Sequence, residues 1–219
     1  AQLTSGAADP YPHVYALWQS LQATKIPIHH AEDLLKAFAW DVEHPRTADW
    51  SALMAYCALS AAPVGRYLID LMGGVDGDDY SASDALCAAL QVLNHVQDIK
   101  QDVVGLGRVY LPQDWLISEG VSDAELAGAS CSAPLRRVID RTLDGVDALL
   151  VQARPLARSI RSKSLACEAA GILAIAQGLS SALRRKDPLA QRVELRKPHM
   201  ALRFVRGAVL GCLRGLMGV

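Results

Sequence analysis

Runs rich in valine, isoleucine and tyrosine are scarce in this chain, and aromatic residues make up only 5% of it. Strands draw on those residue types, so the shortage turns the expectation to helices, which abundant alanine and leucine favour. An excess of one charge is missing too: the net charge of -1 leaves no electrostatic footprint for nucleic acid. The five cysteines are scattered and odd in number, with no C-x-x-C pair. That pattern argues against a disulfide framework or a zinc site and fits a reducing compartment, so a cytoplasmic location is expected. No stretch of about 18 uncharged apolar residues is visible, and no signal peptide, so no spanning helix is expected. A G-x-G-x-x-G after a strand, the mark of a nicotinamide site, is also absent. The chain opens on Ala1 rather than Met, in a polar stretch through Pro12, a start expected of a fragment or a processed chain.

What is present is helical periodicity within one domain, residues 1–219, whose 51% apolar content suffices for a sizeable core. Helices are expected over Val14–Ala23 and from His29 to Val42, the second with Leu34, Leu35, Phe38 and Val42 at three- and four-residue spacing. A third starts at Asp49 or Ser51 and runs toward Met72, kinked by Pro63. Ser81 or Ser83 caps the longest clean helix, to about Val104, where Gly105 and Gly107 stop it. An extended segment, Arg108–Pro112, follows. Further helices are expected from Ser132, from Ser164 to Lys186, and from His199 to Met217. No repeat, linker or composition shift marks a second domain.

The chemistry concentrates on the longest helix. Gln91, Asn94, His95, Asp98 and Asp102 fall on one face, a stripe of two amides, an imidazole and two carboxylates. Carboxylates four residues apart repel one another, and a cation beside them reverses that sign. Magnesium suits such a pair, because it takes one or two protein carboxylates and completes its shell with water and phosphate oxygens. Asp140 and Asp144 share the spacing but stand among Arg136, Arg137 and Arg141, as ordinary surface does. By spacing alone, a solvated face and a cation site stand level. His95 reads as a phosphate- or water-positioning group or as a buried, hydrogen-bonded histidine; His29 and His30 read as a solvated helix start.

The segment ALQVLNHVQDIKQDVVGLGRVYLPQDW, ending at Trp115, resembles the second aspartate-rich motif of squalene and phytoene synthases with their Gly-Arg-x-Tyr-Leu-Pro stretch. Tyr56-Cys57 followed by Ala62-Pro63-Val64-Gly65 resembles that family's Tyr-Cys…Val-Gly helix, and Asp187 to Val193 resembles its closing segment. The resemblance spans roughly His30 to Lys197. Ala82 to Leu90, leading into Asn94-His95, is most similar to the bacterial hydroxysqualene synthase branch of hopanoid biosynthesis.

The resemblance implies an all-α, isoprenoid-synthase-type helical bundle whose N-terminal helices are missing from this chain. It implies Mg²⁺ as cofactor and a prenyl diphosphate as substrate, presqualene diphosphate becoming hydroxysqualene. Asp98 and Asp102 would be metal ligands, with Asn94 at the metal and Gln91 and Asn94 at the diphosphate. Tyr56 would line the cation pocket, or serve as a core tyrosine with a bonded hydroxyl; Arg108 and Tyr110 would close the site, or simply stop the helix. The family's first acidic motif is not here: before Asp33 the only acids are Asp9 and Glu32. Gln97 stands where many relatives have Arg, Thr47 where Tyr is expected, and Tyr110 is the last tyrosine. The rivals are head-to-head condensation of two prenyl diphosphates and a non-catalytic assembly relative. In the tail, Arg203, Arg206 and Arg214 oppose Leu202, Val205, Val209, Leu213 and Leu216, as in a helix lying on the inner face of a membrane or one packed on the core. Oligomeric state is left open.

Overall fold

In the computed structural model, residues 11–217 are described, with side chains through 209. Asp9 and the side chains of Leu213, Arg214 and Leu216 lie outside the described residues. Eight helices carry the architecture: α1 (Pro12–Thr24), α2 (His29–Glu43), α3 (Trp50–Ser60), α4 (Ala62–Leu71), α5 (Ser81–Gln97), α6 (Ala133–Gln152), α7 (Lys163–Arg185) and α8 (Lys197–Met217). Short helical turns at Gln113–Ser118, Asp123–Leu126 and Leu156–Ser159 fill the connections. The described residues form no strand, only two isolated bridges.

Local signals account for most boundaries. Asp49 accepts from the Ala52 N–H at 2.8 Å to start α3, and Ser132 and Ser162 cap α6 and α7 in the same way. The kink expected at Pro63 is a full break: Ala61 has φ -116° and ψ -46°, and α4 begins with Pro63 in its first turn. The helix expected to reach Val104 also ends early. Asp98 adopts φ -107° and ψ 14°, a short helical piece Ile99–Gln101 follows, and Asp102–Leu106 is a π-helical turn. Gly107 closes that turn in the left-handed region, φ 65°, where glycine pays no Cβ penalty.

The core lies between α5, α6 and α7. Val92, Leu93 and Val96 of α5 and Val138, Ile139, Leu143 and Val146 of α6 are essentially inaccessible to water. Each such side chain contributes about 1.5–3 kcal/mol of burial. The stripe expected to bury α2 does not: Leu35, Phe38 and Val42 are 57, 62 and 80% exposed, and the helix buries His30 and Ala37 instead. His30 is therefore no solvated helix start. Its Nε2 lies 2.8 Å from Asp70 of α4, which also accepts from Tyr80.

Trp50–Leu71 and Lys163–Arg185 are long and apolar enough to cross a membrane by length and composition alone, a test that core helices also pass; the first is two helices and both pack in the bundle. The expectation for cysteine is corrected. Cys57, Cys87 and Cys131 are free, but Cys167 is disulfide-bonded. Such a bond needs Cα atoms within about 7 Å, a distance only the fold decides.

Candidate active site

Helix α5 leads to the site. It rests on α4 through Gly65, where an added Cβ would lie 2.5 Å from Cys87 Sγ and 2.8 Å from Ser83 Oγ. From Ser83 and Cys87 the same α5 stripe continues through Leu90, Gln91 and Asn94 to Asp98. Asn94 is exposed, and Gln91, Asp98 and Asp102 are half-buried. Although the helix breaks at Asp98, the Asp102 N–H still donates to the Asp98 carbonyl at 2.8 Å. The two carboxylates thus stay one turn apart, and the π turn follows at once, a feature frequent at functional sites.

The Asp98 carboxylate is balanced from across the fold. Arg192 Nη1 donates to Asp98 Oδ1 at 3.0 Å and to Gln101 Oε1 at 3.4 Å. Gln97 anchors the segment bearing that arginine by donating to the Val193 carbonyl at 2.6 Å. Asp102 faces His95 Nδ1 at 3.8 Å. His95 is buried, with its Nε2 3.2 Å from the Gln91 amide nitrogen.

Beneath these acids lies an aromatic cluster organised by Asp41 of α2. Tyr56 donates to one Asp41 oxygen at 3.1 Å and Tyr110 to the other at 3.0 Å. Arg108 approaches the same carboxylate at 3.3 Å. The Tyr110 ring stacks on His95 with centroids 3.7 Å apart, and Tyr56 lies 5.5 Å from Tyr110. A parallel bridge brings them together: the Val109 N–H donates to the Pro45 carbonyl at 2.9 Å, and the Thr47 N–H to the Val109 carbonyl at 3.0 Å. This pins Arg108 and Tyr110 beside the end of α2. Burial, with the Tyr110 neighbour and the Asp41 charge, pushes the Tyr56 phenol far up; burial likewise raises Tyr110. Both phenols are neutral donors at physiological pH. Burial opposes the Arg108 charge, but its bond to Tyr110 and the Asp41 charge outweigh this and raise its pKa.

Among the described residues no group of three or more His, Cys, Asp or Glu side chains is gathered as a ready metal cage. The oxygen set of Asp98, Asp102 and Asn94 fits an ion that fills most of its shell with phosphate oxygens and water, as Mg²⁺ does, and not a closed zinc site.

The squalene/phytoene synthase family model matches residues 3–199. This chain belongs to that family. A squalene/phytoene synthase relative of Rhodopseudomonas palustris, a hydroxysqualene synthase, is 38% identical over 191 residues, 87% of this chain and 65% of that protein. A hydroxysqualene synthase of Zymomonas mobilis is 35% identical over 93% of this chain and 69% of its own length. The chain thus spans about two thirds of these curated relatives. A solved squalene synthase from Alicyclobacillus acidocaldarius superposes with a TM-score of 0.75 at 30% identity, covering 84% of this chain and 69% of that one. A dehydrosqualene synthase superposes with a TM-score of 0.77 at 17% identity, which supports the isoprenoid-synthase helical fold alone.

The structure brings Asp98, Asp102, Asn94 and Gln91 to one face, with Tyr56, Arg108 and Tyr110 in the cluster behind it. Asp140 and Asp144 are surface acids, paired to Arg136 and Arg184 at 2.8 Å. Two contributors escape the sequence reading. Asp41 sits next to an apolar stripe and carries no motif of its own. Arg192 stands in the closing segment, but only the Gln97 latch reveals its reach to Asp98.

Proposed function

We propose that the protein converts presqualene diphosphate into hydroxysqualene with Mg²⁺, and that this chain supplies one acidic wall and the aromatic floor of the site. The observation carrying this reading is Asp102 3.8 Å from His95, whose ring stacks on Tyr110 beside the buried Tyr56, with Asp98 and Asn94 one and two turns back along the same helical run. The hydroxysqualene synthases among the relatives support it. Bound Mg²⁺ would neutralise charge on the departing diphosphate.

The chain's own residues do the rest. Asp98, Asp102 and Asn94 would hold the metal, and Gln91 and Asn94 would orient diphosphate oxygens. Arg192, whose Nε and Nη1 are engaged by Glu194, Asp98 and Gln101, keeps its Nη2 for the same anion. The prenyl chains lie along the exposed stripe of Val64, Leu68 and Met72, which is 56, 44 and 42% open beside the Gly65 contact with α5. When the carbon–oxygen bond breaks, the electron pair leaves with diphosphate. The cation rearranges over the ring faces of Tyr56 and Tyr110, where aromatic quadrupoles stabilise positive charge. Water then adds its oxygen to the cation and loses a proton.

The test is turnover of presqualene diphosphate with Mg²⁺ by the full-length gene product, beside Asp98→Ala. Hydroxysqualene from the first, and a rate at least roughly a thousandfold lower from the second, is expected. No turnover by the unmodified protein, or turnover untouched by the substitution, overturns the reading.

A further inference from the structure

A second cavity, of about 790 Å³, opens between the Ala153–Arg158 connection, α7 and the first half of α8. It shares no lining residue with the crevice at His95 and Asp102. Leu156, Ala170, Leu173 and Ala174 line its apolar side; Arg154, Arg158, Arg185, Arg203 and Arg206 line the rest, with no carboxylate.

The state of those arginines distinguishes the cavity from ordinary basic surface. Elsewhere the described arginines are engaged: Arg46, Arg66, Arg108, Arg136, Arg137, Arg161, Arg184 and Arg192 meet carboxylates, and Arg141 lies over the Trp115 ring. Among the described residues, those without an anionic or aromatic partner are Arg154, Arg158, Arg185, Arg203 and Arg206, all lining this cavity, and Arg196 just before α8. The neighbouring acids do not pair with them: Glu194 is taken by Arg192, Asp144 and Asp147 by Arg184, and Asp187 by the Cys131, Leu189 and Ala190 N–H groups, while Glu168 of α7 is exposed and forms no ion pair with these arginines. The Arg203 side chain lies over Gly178, whose added Cβ would come within 2.7 Å of it, so glycine leaves room for the guanidinium at the helix contact.

The outer face of α8 indicates the source of the missing anion. Leu202, Val205 and Val209 are 67, 57 and 50% exposed and form one helical stripe flanking Arg206. After Glu194 the chain contains no acid but five basic residues, Arg196, Lys197, Arg203, Arg206 and Arg214. An apolar stripe bordered by unpaired cations is the pattern of a helix lying in a membrane interface. A soluble phosphate would account for the arginines but not for the stripe.

We propose that the cleft between α7 and α8 seats the phosphate headgroup of an anionic phospholipid, while Leu202, Val205 and Val209 enter the membrane interface. This stands apart from the carboxylate site and is read by binding, not turnover.

The experiment is co-sedimentation of the protein with phosphatidylcholine vesicles, with and without phosphatidylglycerol. Binding only to the phosphatidylglycerol vesicles is expected. Arg203→Glu/Arg206→Glu should lower the partition at least roughly tenfold, since each cation near such a surface contributes about fivefold. Val205→Ser/Val209→Ser should weaken it as well. Lys25→Glu/Lys163→Glu, a charge-matched change outside the cavity, should leave it within about twofold. Circular dichroism of each variant reports folding. Three results overturn the proposal: no binding to phosphatidylglycerol, equal loss in the control pair, or complete displacement by millimolar inorganic phosphate with no effect of the valine changes.

Discussion

Asp41 accepts from Tyr56 and Tyr110 with its two oxygens while Arg108 approaches from the side, so one carboxylate sets the position of two rings and a guanidinium. Asp41→Ala removes the acceptor for both phenols, at about 1–3 kcal/mol for a buried donor left unpaired. Urea denaturation should show that loss, and adding Tyr56→Phe should recover part of it. A second residue-scale prediction concerns pH. The bond from Tyr80 to Asp70 raises its phenol to about 12. A group raised in the folded state stabilises fully below its unfolded pKa, here about 10, and loses that contribution as pH climbs toward the folded value. Stability should therefore fall between about pH 10 and 12, and Tyr80→Phe should flatten that alkaline limb in thermal melts. Asp41 was illegible in the sequence because its partners lie 15 and 69 residues away.

At the scale of elements, the α4–α5 contact depends on one glycine. Gly65 allows α4 to lie on Ser83 and Cys87 in the first half of α5. Gly65→Ala should destabilise by about 1–3 kcal/mol through overpacking. Cys87→Ala in the same chain should restore the larger part, because the closest clash is with its sulfur. The cap expected at Ser81 or Ser83 is not made, because α5 starts after Tyr80 with no side-chain cap. Helix existence and the caps of α3 and α6 were legible from periodicity, Asp49 and Ser132. The breaks at Ala61 and Asp98 were not. Apolar spacing continues through both, and a break depends on what the flanking segments pack against.

Across the whole molecule, Asp187 fastens the closing segment to the start of α6. It accepts from the Cys131 N–H at 2.8 Å, the Leu189 N–H at 2.9 Å and the Ala190 N–H at 3.2 Å. Burial works against its charge, but those donors, with the Cys131 thiol, prevail and hold its carboxyl below the ordinary 3.8. A depressed carboxylate stabilises above its unfolded pKa and loses that contribution as pH falls through the folded one. Asp187→Ala should thus cost about 1–2 kcal/mol near neutral pH and little in strong acid, read by denaturation at the two pH values. Since this segment carries Arg192 to Asp98, the same change should also weaken diphosphate binding by the full-length protein.

The sequence by itself determined the helical class, the spacing that puts Gln91, Asn94, Asp98 and Asp102 close along the chain and, through Gly-Arg-x-Tyr-Leu-Pro, the family. These are properties of residues close along the chain, where a period of 3.6 and a fixed spacing suffice. Only the tertiary structure decided that Asp41 gathers Tyr56, Arg108 and Tyr110, that Arg192 crosses to Asp98, and that α2 turns Leu35, Phe38 and Val42 outward. Those outcomes depend on which distant surfaces meet, and hydrophobic spacing records that a face is apolar without recording what covers it.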